Sequence, residues 1–236
     1  MRKQHILCGL LAALLLCLTG CTQGTLNTQN LDWHEQLSPL LRQSSYTVHI
    51  QTSRQGETAP CKETTTFFDG DSSHMIIAEK GKATQEVYYF RQNGTCSIYG
   101  WDEAHSIWVI QELDDSDNYF YAYSVMERLR KLGGWIDLGE IRYDKNNRTY
   151  LGENLSGFYA CDGQAHKVLS AEVFIENNKV SSFRELYSVT ENGQEQIYED
   201  SVRFEDVGLT QIELPVNCIS AEEIAAFDPG TVQFRD

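Results

Sequence analysis

Thiols are the side chains of this sequence with the widest range of possible chemistry, and seven cysteines occur in 236 residues. No two of them have the C-x-x-C spacing of a zinc site or a thiol-exchange motif, so neither chemistry is expected. The four cysteines in the body of the chain permit two disulfides outside the cytoplasm, in three pairings that the sequence does not separate. Buried free thiols are the alternative for these residues, which are Cys61, Cys96, Cys161 and Cys218.

Catalytic and metal-binding motifs are the next candidates. The sequence contains no G-x-S-x-G, H-E-x-x-H, P-loop or G-x-G-x-x-G pattern. Asp114, Asp115 and Asp117 lack the glycine and distal glutamate of an EF-hand, so we interpret them as the cap of a helix. We therefore predict a non-catalytic protein with no metal site and no cofactor. The histidines are scattered over predicted strand edges and turns, where a lone imidazole is seldom catalytic: His34, His49, His74, His105 and His166.

The N-terminus has the layout of an export signal. Residues 1–3 are Met-Arg-Lys, and residues 6–18 form an apolar run that is shorter than the roughly 20 residues needed to cross a bilayer as a helix. The run ends in Leu-Thr-Gly-Cys at residues 18–21, which resembles the lipobox of bacterial lipoproteins. The resemblance implies cleavage between Gly20 and Cys21 and acylation of Cys21 with diacylglyceryl and palmitate-type chains. It also implies a lipid-anchored location on the extracytoplasmic face of the cell membrane.

Composition constrains the partners and the number of domains. The chain has 34 acidic and 19 basic residues and a net charge of −15. This balance argues against nucleic acid as a partner and against electrostatic adhesion to anionic lipid head groups, so lipid on Cys21 would hold the protein at the membrane. We divide the chain into a signal peptide (residues 1–20), a lipidated flexible tether (21–30) and a single domain (31–236).

Alternating apolar and polar residues predict a β-rich domain. Tyr46, Val48 and Ile50 alternate with polar residues, and similar short patterns recur as far as residue 214, including residues 135–143 and 209–214. We therefore predict about eleven short strands that pair as antiparallel neighbours. Residue pairs that tolerate positive φ separate several of them: Asp69-Gly70, Asn93-Gly94, Asn177-Asn178 and Asn192-Gly193.

Two predicted helices accompany these strands. Residues 31–44 have leucines at helical spacing, and residues 114–132 combine an acidic start with an apolar-periodic run that Gly133-Gly134 is expected to end. The second helix has an aromatic face, which is the main candidate for an apolar binding site. Filling the core between helix and sheet is the alternative role of these side chains. With tryptophans from flanking strands, the expected ligand-binding residues are Tyr119, Phe120, Tyr123, Met126, Trp108 and Trp135.

These elements describe a mainly β (α+β) fold in which a long curved antiparallel sheet forms a half-barrel, with an N-terminal and a central helix on its concave face. The layout resembles the lipoprotein-carrier half-barrel superfamily of LolA-like and LppX-like proteins, and residues 198–215 are similar to the last hairpin of those lipoproteins. The resemblance covers residues 31–215 and implies a cavity for acyl chains. We accordingly expect a protein that binds a hydrophobic ligand (lipid or acyl chain) or an envelope partner. A protein-interaction or sensory module without a ligand cavity is the alternative.

Overall fold

The structure, a computed structural model, describes residues 28–92, 95–113, 120–155, 157–161 and 164–227. In this part of the chain no helix is long and apolar enough to span a membrane. The helices are α1 (Thr28–Leu41), α2 (Phe120–Asp137) and α3 (Ala221–Phe227). The strands are β1 (Ser45–Arg54), β2 (Lys62–Asp69), β3 (Ser72–Glu79), β4 (Lys82–Gln92), β5 (Thr95–Asp102), β6 (Ile107–Leu113), β7 (Arg142–Asp144), β8 (Thr149–Glu153), β9 (Phe158–Cys161), β10 (Gln164–Glu176), β11 (Lys179–Glu191), β12 (Gln194–Glu205) and β13 (Cys218–Ser220).

All of these strands belong to one long open sheet, and the predicted fold class is confirmed. The path through the sheet is β13-β6-β5-β4-β3-β2-β1-β12-β11-β10-β8-β7, and β9 pairs with β10 beside it. The pairing of β13 with β6 is parallel, and the other pairings are antiparallel. Two of the four predicted hairpin turns occur at Asn177-Asn178 and Asn192-Gly193, where all four residues have positive φ. At the third, the turn begins after Asp69 with Gly70 at a φ of +61°. The fourth, Asn93-Gly94, lies outside the described residues.

The sheet has an inner face, which packs against α1 and α2, and an outer face, which points away from them. Because successive strand side chains point to opposite faces, the register assigns each residue to one of the two. Val48 pairs with Phe204 on the inner face, and Thr47 pairs with Phe67 on the outer face. The alternation that predicted the strands therefore also separates the core from the opposite surface.

The main core cluster fills the space between the inner face and the two helices. Each apolar side chain buried there contributes about 1.5–3 kcal/mol relative to exposure. The cluster joins strands from both sides of β1, so it couples α1 and α2 to the centre of the sheet. Its helix residues are Trp33, Leu37 and Leu40 from α1 and Val125, Leu129, Leu132 and Ile136 from α2.

The second helix extends beyond its predicted end. Gly133 and Gly134 lie inside α2, so the prediction that they end it is wrong. The helix stops after Asp137 and is followed by Gly139, which has a φ of +78° and supplies the left-handed conformation typical of a helix C-terminus. The predicted strand at residues 135–143 is reduced to β7 for the same reason, because Trp135 is helical.

The first helix begins before its predicted start. It runs from Thr28 to Leu41, so the last three residues of the proposed tether are helical and residues 21–27 lie outside the described part of the chain. Pro39 occupies the final turn, and the Arg42 amide donates to the Ser38 carbonyl beyond it. Proline has no N–H to donate to the Glu35 carbonyl four residues earlier, so the helix lacks this one hydrogen bond in its final turn.

The segment 206–217 connects β12 to β13, which lies at the far edge of the sheet beyond β1 to β6. Residues 209–214 are not a strand, contrary to the prediction. Instead, the hydroxyl of Thr210 lies 3.0 Å from that of Thr47, which fixes the start of the segment against the outer face. The segment ends where Cys218 pairs with Trp108, and α3 follows with Ile224 buried.

Candidate functional site

The predicted binding residues of α2 differ in how they are placed. Met126 and Trp135 are half-buried and pack against the main core cluster. A Cβ at Gly157 would overlap the ring of Trp135, so this ring lies directly against the backbone. Both described side chains thus contribute to the core, and their contact with a ligand stays a prediction. The described part of the chain does not include Tyr119 or the side chains of Phe120 and Tyr123.

Trp108 lies on the outer face, away from Trp135. Its neighbour Val109 is buried on the inner face, and alternation turns Trp108 to the other side. The Trp108 ring contacts Tyr88 and Trp101, with centroid distances of 5.3 and 5.4 Å. The structure therefore does not bring the two predicted tryptophans together into one site.

A second apolar cluster occupies the inner face of β3, β4 and β5. Met75, Ile77 and Val87 are buried there, and Tyr89 and Ile98 are partly buried against them. Among the described residues, those of α1 and α2 belong to the main core cluster and not to this one. The inner face thus carries two separate apolar regions. The second one was missed in the sequence, although its residues follow the strand alternation.

The space under the described part of α2 is closely packed. Leu129 and Leu132 are fully buried and Ile136 is nearly so, which is the packing expected of a solid core. A cleft of ≈ 680 Å³ lies elsewhere, between the tips of the β1–β2 and β3–β4 hairpins. It is lined by residues 56–61 together with Glu63, Lys80 and Gly81. The expected apolar cavity is therefore not located beneath the second half of α2.

A buried ion network links α2 to the sheet. Arg128 Nε donates to Glu185 Oε2 at 2.7 Å, and Arg128 Nη1 lies 2.9 Å from Asp200 Oδ2. The exposed fractions of the Arg128 and Glu185 side chains are 5% and 1%. Tyr187 donates its hydroxyl to Asp200 Oδ1 at 3.2 Å. The arginine also lies over the Phe183 ring, 5.3 Å from its centroid, so charged and apolar contacts combine at this position.

This network was not predicted, although the sequence contains a signal for it. Glu185 stands at an inward position between Phe183 and Tyr187, and Asp200 stands at an inward position two residues before Val202. A carboxylate in such a place is rarely buried without a partner. The sequence alone does not identify Arg128 as that partner.

A row of aromatic rings crosses the outer face from β2 to β6. The His74 ring stacks on Phe67 and Tyr88, with centroid distances of 5.2 and 3.8 Å, and the row continues through Trp108 to Trp101. Its end is open to solvent, because Trp101 is 46% exposed. We call these five rings the aromatic row: Phe67, His74, Tyr88, Trp108 and Trp101.

A carboxylate organises the centre of the aromatic row. Glu86 Oε1 lies 2.9 Å from His74 Nε2 and accepts a hydrogen bond from the Tyr88 hydroxyl at 3.3 Å. Burial lowers the pKa of His74, and the contact with Glu86 only partly opposes this effect. Burial and the charge of Glu86 raise the pKa of Tyr88 to about 12. His74 and Tyr88 are therefore neutral at pH 7, and the row offers apolar surface with one acidic group.

The cysteines divide into two groups. Cys61 and Cys218 are free thiols that donate to the carbonyls of Thr52 and Pro215, each at 3.2 Å. Burial raises the pKa of the Cys218 thiol, which disfavours the reactive thiolate. Neither residue is in a disulfide in this structure. Cys96 is buried in β5 and the side chain of Cys161 is outside the described residues, so their pairing stays a prediction.

The remaining predicted sites concern metals and the anchor. Among the described residues, no group of three or more His, Cys, Asp or Glu side chains is placed to hold a metal ion. Gly20 and Cys21, the predicted cleavage and lipidation residues, lie outside the described part of the chain. Their role rests on the sequence alone.

Comparison with known proteins gives similarity to solved structures only. No protein-family model and no curated protein matches the chain. The lipoprotein LppX of Mycobacterium tuberculosis is 8% identical, and the match covers 80% of this chain and 98% of that one with a TM-score of 0.34. A LolA superfamily protein of Nitrosomonas europaea is 11% identical, with coverages of 81% and 95% and a TM-score of 0.26.

Proposed function

We propose that this chain is an extracytoplasmic lipoprotein, anchored through Cys21, whose half-barrel binds a ligand with an apolar portion on its inner face. Lipids and acyl chains are the ligand class that fits such a surface. The observation that carries the proposal is the second apolar cluster, formed by Met75, Ile77 and Val87, which is separate from the packed core under α1 and α2. The proposed role is binding without catalysis.

The residues of the second cluster suit an apolar ligand. The cluster residues and the two that border it carry no charge, and ligand sites are mostly lined by apolar and aromatic groups. Met75 supplies a flexible, polarizable contact that adapts to irregular shapes. Tyr89 and Ile98 border the cluster and are only partly buried, so they are the described residues best placed to touch a bound chain.

We further propose that the predicted aromatic residues of the central helix bind the same ligand. Tyr119, Phe120 and Tyr123 precede Val125 and Met126, which already pack on the main core cluster. They follow β6, which pairs with β5, the strand that carries Ile98. This proposal rests on their order in the chain and on the aromatic character of the three side chains.

Displacement of a fluorescent fatty acid from the mature protein, which would begin at Cys21, tests this proposal. Saturable binding is expected, and Ile98→Trp should weaken it about tenfold, which corresponds to ~1.4 kcal/mol, because the larger ring fills the site. Ile76→Trp is the matched control, since Ile76 is a partly buried isoleucine of β3 that pairs with Glu86 on the outer face. Absence of saturable binding, or equal weakening by both substitutions, would contradict the proposal.

Binding of another envelope protein is the second candidate, and the aromatic row favours it. Aromatic side chains are enriched in the centres of protein interfaces, and Trp101 leaves nearly half of its surface exposed. If this function is the correct one, Trp101→Ala should abolish co-purification of a partner after cross-linking in membranes. The fatty-acid assay would then give no saturable binding, so the two candidates predict opposite results.

A further inference from the structure

Three exposed apolar side chains lie together at one end of the sheet. Leu41 ends α1 and is 43% exposed, and Val207 and Leu209 follow β12 with exposed fractions of 40% and 77%. The two segments are joined because the Gly208 amide donates to the Ser45 carbonyl at 2.7 Å. We call these three residues, Leu41, Val207 and Leu209, the apolar rim.

The apolar rim lies at the end of the sheet that α1 crosses. Gln36 in the middle of α1 donates to Asn178 in the β10–β11 turn at 3.2 Å. The Ser44 carbonyl accepts from the Gly70 amide in the β2–β3 turn at 2.8 Å. Both turns belong to the same end of the sheet as the start of β1 and the end of β12. Helix α1, the first helix after Cys21, therefore lies at the same end of the sheet as the apolar rim.

The anchor segment is short. Residues 22–27 separate Cys21 from the start of α1 at Thr28. A flexible coil of six residues would span about 12–15 Å on average. Lipid on Cys21 would thus hold the α1 end of the domain within reach of the bilayer surface.

We propose that the apolar rim inserts into the interfacial region of the lipid bilayer and orients the domain on it. The inference rests on the proposed lipidation of Cys21. Charge does not supply the attraction, because the chain has a net charge of −15 and the neighbouring Arg42 is outnumbered by Asp206 and by Asp69, which pairs with Ser45. Membrane contact then depends on apolar side chains at the headgroup boundary. Neutral phospholipid is the surface that fits this chemistry.

The test uses two substitutions in one segment. Leu209→Trp places a fluorophore in the apolar rim, and Val216→Trp is the matched control because both positions are 77% exposed. Val216 lies near the opposite end of the sheet, two residues before Cys218 pairs with Trp108 at the start of β6. Full-length processed protein is reconstituted into phosphatidylcholine vesicles with or without bromine on the upper acyl chains. The fluorescence of the unsubstituted protein, which comes from its native tryptophans, is subtracted from that of each variant.

An interfacial side chain lies about 5–10 Å into the boundary layer, so bromine should quench roughly half of the fluorescence that Leu209→Trp adds. The signal added by Val216→Trp should not change. Equal quenching of both, or of neither, would overturn the inference. Intact-mass measurement on the same samples distinguishes failure of this inference from failure of the proposed anchor. A lipidated Cys21 with no selective quenching contradicts insertion of the apolar rim alone. An unmodified N-terminus contradicts both lipidation of Cys21 and insertion of the apolar rim.

Discussion

Arg128→Ala should lower the free energy of unfolding by about 3–5 kcal/mol, because it leaves two carboxylates buried without their cation. Glu185 and Asp200 both contact this guanidinium, and all three side chains are at least nine-tenths buried. The cost of desolvating the carboxylates remains after the substitution, while the compensating attraction is lost. Urea denaturation followed by far-ultraviolet circular dichroism measures the effect.

Arg184→Ala is the control for this prediction. Arg184 also lies between two carboxylates, those of Glu172 and Glu199, each at 3.6 Å, but its side chain is 48% exposed. Water screens such pairs, so the expected loss is about 1 kcal/mol or less. Similar losses for the two arginines would show that the network around Arg128 does not stabilise the packing of α2 on the sheet.

Gly133→Ala and Gly134→Ala should change stability in opposite directions although the two glycines are adjacent in α2. A Cβ at Gly133 would lie 2.6 Å from Nε1 of Trp33, whereas a Cβ at Gly134 would have open space. Trp33 is fully buried and packs edge-on against Tyr150, so its ring cannot move without disturbing the core. We expect Gly133→Ala to cost about 1–3 kcal/mol through overpacking.

A substitution at the exposed Gly134 changes only the intrinsic helix propensity of that residue. Gly134→Ala should raise the free energy of unfolding by about 0.5–1 kcal/mol, because alanine is the better helix former. Thermal and urea unfolding of both variants check the pair. Stabilisation by both substitutions would mean that α1 does not approach α2 closely at Trp33.

Local sequence patterns were sufficient to predict most of the antiparallel strands of the sheet. The alternation at Tyr46, Val48 and Ile50 requires only neighbouring residues, and the asparagine-containing turns at residues 177–178 and 192–193 depend on backbone preferences of single positions. Local rules of this kind also predicted two helices against one face. The fold class follows from them because antiparallel hairpins bring consecutive strands together.

Long-range contacts account for what the sequence did not predict. Gly133-Gly134 is a typical helix end when only its neighbours are considered, but Gly133 is required by Trp33, which is one hundred residues away in the chain. Arg128 similarly depends on Glu185, at a separation of 57 residues. Such pairs become visible only when the register places the elements side by side.

The placement of the predicted binding residues also could not be predicted from local sequence patterns. Alternation in β6 places Trp108 and Val109 on opposite faces, but does not decide which face packs against the helices. That choice follows from the strand register, which places Val109 opposite Gly100 and, through β4, on the same face as Val87. The aromatic row, and the separation of Trp108 from Trp135, therefore emerged only from the complete topology.

Native mass spectrometry of the full-length protein purified from its membranes tests ligand binding on the inner face most directly. The predicted result is a mature chain that begins at lipidated Cys21 and carries one additional non-covalent adduct of lipid size. In the Ile98→Trp variant, whose affinity is expected to be about tenfold lower, the adduct should be less abundant than in the wild type, and in Ile76→Trp it should persist. A folded wild-type protein that carries no adduct, even after incubation with fatty acids or phospholipids, would contradict the proposed function.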